Sequence, residues 1–122
     1  LGAEHLSDDG CIVLVSGAPA RRAKPGQAAI ASVGGAVEQF VRAVTAELAP
    51  KRINVVSPGV IDTPMFGNDA DARAKMLGGA TAPNLIPRAG TSEEVAEGIM
   101  FVVKNDFVTG TTIDVDGGWI LS

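Results

Sequence analysis

The chain has 122 residues, 46% of them hydrophobic, with 15 glycines, 7 prolines and no tyrosine. That length allows one packed domain and leaves little room for two. One cysteine, Cys11, and one histidine, His5, exclude an internal disulfide and a four-ligand Cys/His zinc site, and a net charge of −4 argues against a nucleic-acid footprint. No run reaches the roughly 18 apolar residues of a membrane span, and no secretory leader is visible. The expectation is a cytoplasmic protein with no membrane or nucleic-acid partner and no metal. The first residue is Leu1 and not methionine, which leaves room for residues upstream.

Ser7-Asp8-Asp9-Gly10 is a turn cluster. Cys11 to Val15 is a continuous apolar run, as expected of a strand covered on both faces in a parallel sheet. Arg21, Arg22 and Lys24 read as a solvated basic loop. Ile30, Val33, Val37, Phe40, Val41, Val44 and Leu48 recur at helical spacing and predict a long helix with a wide apolar stripe. Glu38 and Arg42 fall on its other side at i, i+4, and Pro50 stops it. Ile53 to Ser57 reads as a second strand, Asn68 to Leu77 as a short helix and residues 78–90 as an exposed loop. Thr91 and Glu94 match a capping box. The helix behind it places Val95, Ile99, Met100 and Val103 on one face, and Thr111 to Val115 reads as a last strand. Strands alternating with amphipathic helices predict an α/β architecture with a mostly parallel sheet. Three strands leave an edge to be paired by further sequence or another chain.

Ligands of open α/β sheets bind beyond the carboxyl ends of the strands. Ser16-Gly17, Ser57-Pro58-Gly59 and Asp62-Thr63-Pro64 are placed there. Loops of this kind also hold Ser, Gly and Pro for turn geometry alone, so both readings stand on the residues themselves. Cys11 reads as a small core hydrophobe.

Arg52-Ile53-Asn54-Val55-Val56-Ser57-Pro58-Gly59-Val60-Ile61-Asp62-Thr63-Pro64-Met65 resembles the strand-to-loop segment of the short-chain dehydrogenase/reductase family. So does the tail from Val108 through Gly110 to Asp116-Gly117-Gly118. Ala46 to Pro50 is similar to the end of that family's central helix, and Thr91 to Ala96 to the start of its late helix. The resemblance covers nearly the whole chain in the family's order. It implies a Rossmann-type, three-layer, doubly wound parallel sheet, of which residues 1–122 form the carboxyl half of a single domain. It also implies binding of NAD or NADP and hydride transfer on a small apolar carbonyl or alcohol. Pro58, Gly59 and Thr63 would lie against the nicotinamide end, with the amides near Val60 and Ile61 bonding its carboxamide. Residues 78–90 would close over substrate, with Met65, Phe66, Met76 and Leu77 lining an apolar lid. A homo-oligomer through the 28–48 helix or the last strand is implied as well.

The departures concern the chemistry. The family uses a serine, a tyrosine and a lysine four residues past the tyrosine, which puts the last two on one helix face. The matching positions here hold Gly17, Ile30 and Gly34, with Ser16 as a shifted substitute for the serine. No change of register restores the pair, because the chain has no tyrosine. The alignment predicts that Ile30→Tyr with Gly34→Lys would raise any weak reductase activity. Gly34-Gly35 inside a helix costs stability unless something packs closely there. No glycine-rich phosphate loop occurs in residues 1–60. Two functions therefore fit: an NAD(P)-dependent oxidoreductase of doubtful catalysis, or a non-catalytic relative acting as a cofactor-binding or interaction module. A third, an unrelated enzyme using His5 or the Asp62-Thr63 region, has the least support.

Overall fold

The computed structural model describes residues 2–122, and Leu1, where the expected domain begins, lies outside the described residues. The main elements are β1 (Cys11–Val15), α1 (Ala28–Leu48), β2 (Arg52–Pro58), α2 (Ala70–Thr81), α3 (Ser92–Lys104) and β3 (Thr112–Val115). Short 3-10 turns lie at Ala3–His5, Ala18–Ala20, Pro64–Phe66 and Trp119–Leu121. The strands form one parallel sheet in the order β1-β2-β3, with Val15 opposite Val56 and Ser57 opposite Asp114.

Helices cover both faces, which gives three layers. On one face Val41 of α1 packs on Ile53 and Val55, with Ile12, Leu14, Val37, Val44 and Leu48 around them. On the other, a Cβ at Gly98 of α3 would stand 2.8 Å from Val115 Cγ2, so the missing side chain lets this helix sit close to the sheet. The central strand β2 is buried from Arg52 to Ser57.

Three of its buried residues are polar, Arg52, Asn54 and Ser57, and the first two act as struts. The Arg52 guanidinium donates to the carbonyls of Val102 (2.7 Å), Val103 (2.9 Å), Asn105 (3.2 Å) and Val108 (3.2 Å). The last carbonyls of a helix lack partners within it, and a cation suits that end of its dipole. Asn54 donates to the Val108 carbonyl and accepts from the Thr111 amide, so it ties the loop before β3 to β2.

The capping box at Thr91 and Glu94 forms as its spacing predicts. Several other details differ from the sequence expectation. β1 is an edge strand, half-buried with Val15 exposed, because nothing pairs with its outer side among the described residues. Only part of the α1 stripe turns inward: Ile30, Val33 and Phe40 are 57%, 66% and 54% exposed. Glu38, expected on the solvent side beside Arg42, is instead 4% exposed. On α3 the buried residue is Val102, while Met100 and Val103 point outward. α2 runs on to Thr81, so the expected loop at 78–90 begins as helix. Asp69 caps its start, and the buried Thr81 hydroxyl donates to the Leu77 carbonyl at its end. Among the described residues, no helix is long and apolar enough to cross a membrane.

Candidate functional site

The site forms where β1 and β2 end. β2 passes into Pro58-Gly59, and Gly59 lies so close to β3's exit that a Cβ there would stand 2.7 Å from Asp116 Cα and O. Glycine is required by this approach of two backbones. Past it, the Asp62 amide donates to the Gly90 carbonyl and the Gly90 amide to the Val60 carbonyl, each at 2.9 Å. This rung spends the outward groups of the loop. The amides of Val60 and Ile61 take no protein partner among the described residues. Arg73 of α2 then anchors the segment, bonding Asp62 (2.7 Å) and the Gly67 carbonyl (2.8 Å). The turn Pro64–Phe66 is held between them, with Met65 80% exposed at its tip.

The end of β1 is built differently. Ser16 and Gly17 lead into the turn Ala18–Ala20, on which α1 rests through Gly34. A Cβ at Gly34 would stand 2.9 Å from the Ala20 Cβ. Gly34 is thus a seat for the turn, in line with close packing, whereas a Cβ at Gly35 would meet nothing nearer than 4.0 Å. The same distance bears on the Gly34→Lys half of the restoring pair, whose first carbon meets Ala20 before its amine reaches anything.

One helical turn further along α1, Glu38 is buried under this end of the sheet. Ser16 Oγ donates to Glu38 Oε1 at 2.9 Å, and Arg21 Nε lies 3.3 Å from Glu38 Oε2. Arg21 also pairs with Asp114 on β3. A buried carboxylate needs such a partner set. The Ser57 Oγ is buried with no hydrogen-bond partner among the described residues. The basic segment is exposed, as a solvated loop would be, and it also acts as a latch. Besides the Arg21 pairs, the Arg22 carbonyl accepts from Trp119 Nε1 (3.1 Å), and the Lys24 ammonium lies 3.8 Å from the Trp119 ring centre.

These walls enclose a pocket of about 610 Å³. That is the size of a small-molecule site. Ser16, Gly17, Ile30, Pro58, Gly59, Val60, Ile61 and Thr63 all line it, as do Met65, Phe66, Met76, Leu77 and Trp119. Of the residues matched to the family's site only Gly34 lies outside, under the turn, and of the strand-end candidates Ser57, Asp62 and Pro64 do not line it. Among the described residues, no ionisable side chain lines the pocket. His5 is exposed in the first turn, and the Asp62 carboxylate is engaged by Arg73. In a separate cleft beside Gly90, the Arg88 guanidinium and then the Thr91 amide lower the pKa of the Glu94 carboxyl to about 2.

Sequence reasoning missed Glu38, Arg21, Asp114 and Trp119. The one available signal was Gly34-Gly35, which marks where α1 approaches another segment and so which flank of the helix turns inward. Glu38 lies on that flank, four residues on.

The fold and site together define an α/β domain with an apolar ligand pocket beyond its strand ends. A family model described as enoyl-(acyl carrier protein) reductase matches residues 2–120. A short-chain dehydrogenase/reductase of Stachybotrys chlorohalonatus is 38% identical over 110 residues, covering 90% of this chain and 44% of that protein. The cyclopentanol dehydrogenase of Comamonas testosteroni is 41% identical over 116 residues, covering 90% and 45%. The solved structure of a small-chain dehydrogenase in complex with NADPH matches with a TM-score of 0.91 and 34% identity, covering 99% of this chain and 56% of that one. The chain belongs to the short-chain dehydrogenase/reductase family. It spans about half the length of the curated relatives it matches.

Proposed function

We propose that this chain forms the nicotinamide- and substrate-facing part of an NAD(P)-dependent oxidoreductase site that works without the family's tyrosine and lysine. The observation that carries this reading is the apolar pocket that gathers Gly17, Ile30, Pro58 to Ile61 and Thr63. The residues present suit a nicotinamide. The free amides of Val60 and Ile61 and the Thr63 hydroxyl are donors for a carboxamide, and Pro58-Gly59 gives a side-chain-poor wall for a flat ring. The cofactor, NAD or NADP, when bound supplies or accepts a hydride. Its phosphates are held outside these residues, which carry no glycine-rich loop of their own.

Ile30, Phe66, Met76 and Leu77 exclude water and favour a small neutral substrate. The similarity to a cyclopentanol dehydrogenase supports a small apolar alcohol or carbonyl. The exposed Val33 and Phe40 on α1 support a homo-oligomer, and the cytoplasm is the proposed compartment.

Ile30 and Gly34, which cannot move a proton, favour a second reading: a non-catalytic relative that binds cofactor or partner. Fluorescence titration of the intact protein with NADH and NADPH, followed by turnover assays with cyclopentanol and cyclopentanone, decides between them. Cofactor binding with turnover is expected. Cofactor binding with no turnover of any alcohol or ketone selects the second reading, and no binding of either cofactor overturns both cofactor-based readings.

A further inference from the structure

The proposed site has a nicotinamide wall and an apolar wall but no evident group to take the proton that an alcohol releases on oxidation. Ile30 has no such group, Gly34 is under a turn, and among the described residues no ionisable side chain lines the pocket. Among the described polar residues of its wall, Ser16 is the one bonded to a carboxylate. The Ser16 hydroxyl donates at 2.9 Å to Glu38, a carboxylate 4% exposed behind it.

We propose that Ser16 and Glu38 form a proton relay: Ser16 is the catalytic residue that accepts the substrate hydroxyl proton, and Glu38 takes the proton that Ser16 gives up. This inference rests on the proposed function.

The hydrogen-bond direction favours it. Because Ser16 spends its only hydrogen on Glu38, its oxygen can meet a pocket ligand only as an acceptor. An alcohol hydroxyl can supply the matching hydrogen, and a ketone or an ether cannot. In the oxidation, the substrate O–H bond breaks and its proton passes to Ser16 Oγ. The Ser16 proton passes to Glu38 Oε1. With the oxidised cofactor bound, the C–H electron pair would leave as hydride to it as the C=O bond forms. Ser16 ends with one proton, as it began, and Glu38 ends neutral until water removes the proton.

Glu38 is held for this by Arg21, which binds its other oxygen and is itself braced by Asp114. The carboxylate therefore has one oxygen fixed by a cation and one aimed at Ser16. The carboxylate is thereby tied to a residue of the pocket wall. Arg21 and Asp114 are the charged groups paired around Glu38.

The test uses the intact protein, with NADH or NADPH titration as the first check. Loss of cofactor binding in the wild type would refute the proposed function, independently of the relay. In protein that binds cofactor, Glu38→Gln keeps an oxygen for Ser16 but cannot take a proton. Its kcat for cyclopentanol oxidation is expected to fall about 10²- to 10⁴-fold with KM little changed. Ser16→Ala should lower kcat as far, and Ser16→Thr, which restores a hydroxyl, should recover part of it.

Binding supplies a readout apart from turnover. Cyclopentanol should bind Ser16→Ala about three- to tenfold more weakly than wild type, the worth of one hydrogen bond. Cyclopentyl methyl ether should bind both alike. Equal weakening of alcohol and ether would reduce Ser16 to a packing role and overturn the proposal. So would wild-type kcat in Glu38→Gln, or a wild type that binds cofactor and cyclopentanol without turnover.

Discussion

Gly59→Ala tests the point where two backbones meet at the site. The added Cβ would stand 2.7 Å from Asp116 Cα and O. Carbon atoms rest about 3.5 Å or more apart, so about 0.8 Å of separation must be made. The two segments are also joined by the Gly59 amide bond to the Val115 carbonyl, now 3.0 Å long. A shift of that size takes it past useful hydrogen-bond length. Overpacking of this kind costs about 1–3 kcal/mol, and the lost bond about 1 kcal/mol, so the substitution should destabilise by about 2–4 kcal/mol. Urea unfolding of the intact protein should show a lower midpoint at unchanged slope. NADH and NADPH titration should show weaker binding, because Pro58 and Val60 move with residue 59. A loss under about 0.5 kcal/mol with unchanged cofactor affinity would refute the close-approach argument.

Other substitutions separate the remaining roles. Arg52→Met keeps the stem of the side chain but strips four carbonyls of their donor. It should cost about 2–4 kcal/mol in urea unfolding, and fastest hydrogen exchange should appear at the end of α3. Gly78→Ala lies in α2, where an added Cβ meets nothing within 4 Å. It should raise stability by about 0.5–1 kcal/mol, seen as a higher thermal midpoint, and a fall would mean the helix is not formed there. Glu94 has its carboxyl lowered from an ordinary 4.5 to about 2, by Arg88 first and the Thr91 amide second. Its contribution is therefore present above pH 4.5 and is lost as the pH falls toward 2. Amide exchange at Ser92 to Val95 should speed up across that window. Arg88→Gln should move the onset upward, and an identical onset in the variant would contradict the assignment.

Much of the architecture was legible because local signals agreed. The apolar run at Cys11 to Val15, the α1 periodicity ended by Pro50 and the Thr91 and Glu94 pair each specify an element without long-range help. The misjudged details depend on what lies across the fold. Nothing in the spacing of α1 distinguishes a Glu38 facing water from one facing Ser16 and Arg21, residues 22 and 17 positions earlier in the chain. Arg21, Arg22 and Lys24 are a solvated cluster as expected, but their contacts with Glu38, Asp114 and Trp119 depend on segments far along the chain. The sequence ends α2 too early because glycine signals loop, whereas Gly78 and Gly79 sit inside a helix held by Thr81. At the site, Pro58 to Thr63 could be read from the motif they resemble. The Glu38 network could not, since it occupies no position of that motif.

The absence of charge from the pocket wall has a consequence for how a ligand arrives. A site lined by charge draws oppositely charged ligands through water and loses that attraction as salt rises. Here the lining is neutral, so the field of the wall itself supplies no steering to an alcohol or ketone. Capture of that ligand depends on chance encounter and on the gain from shedding water off apolar surface. Its affinity should therefore strengthen in solutions that favour apolar burial, such as sulfate, and change little with an equal ionic strength of sodium chloride.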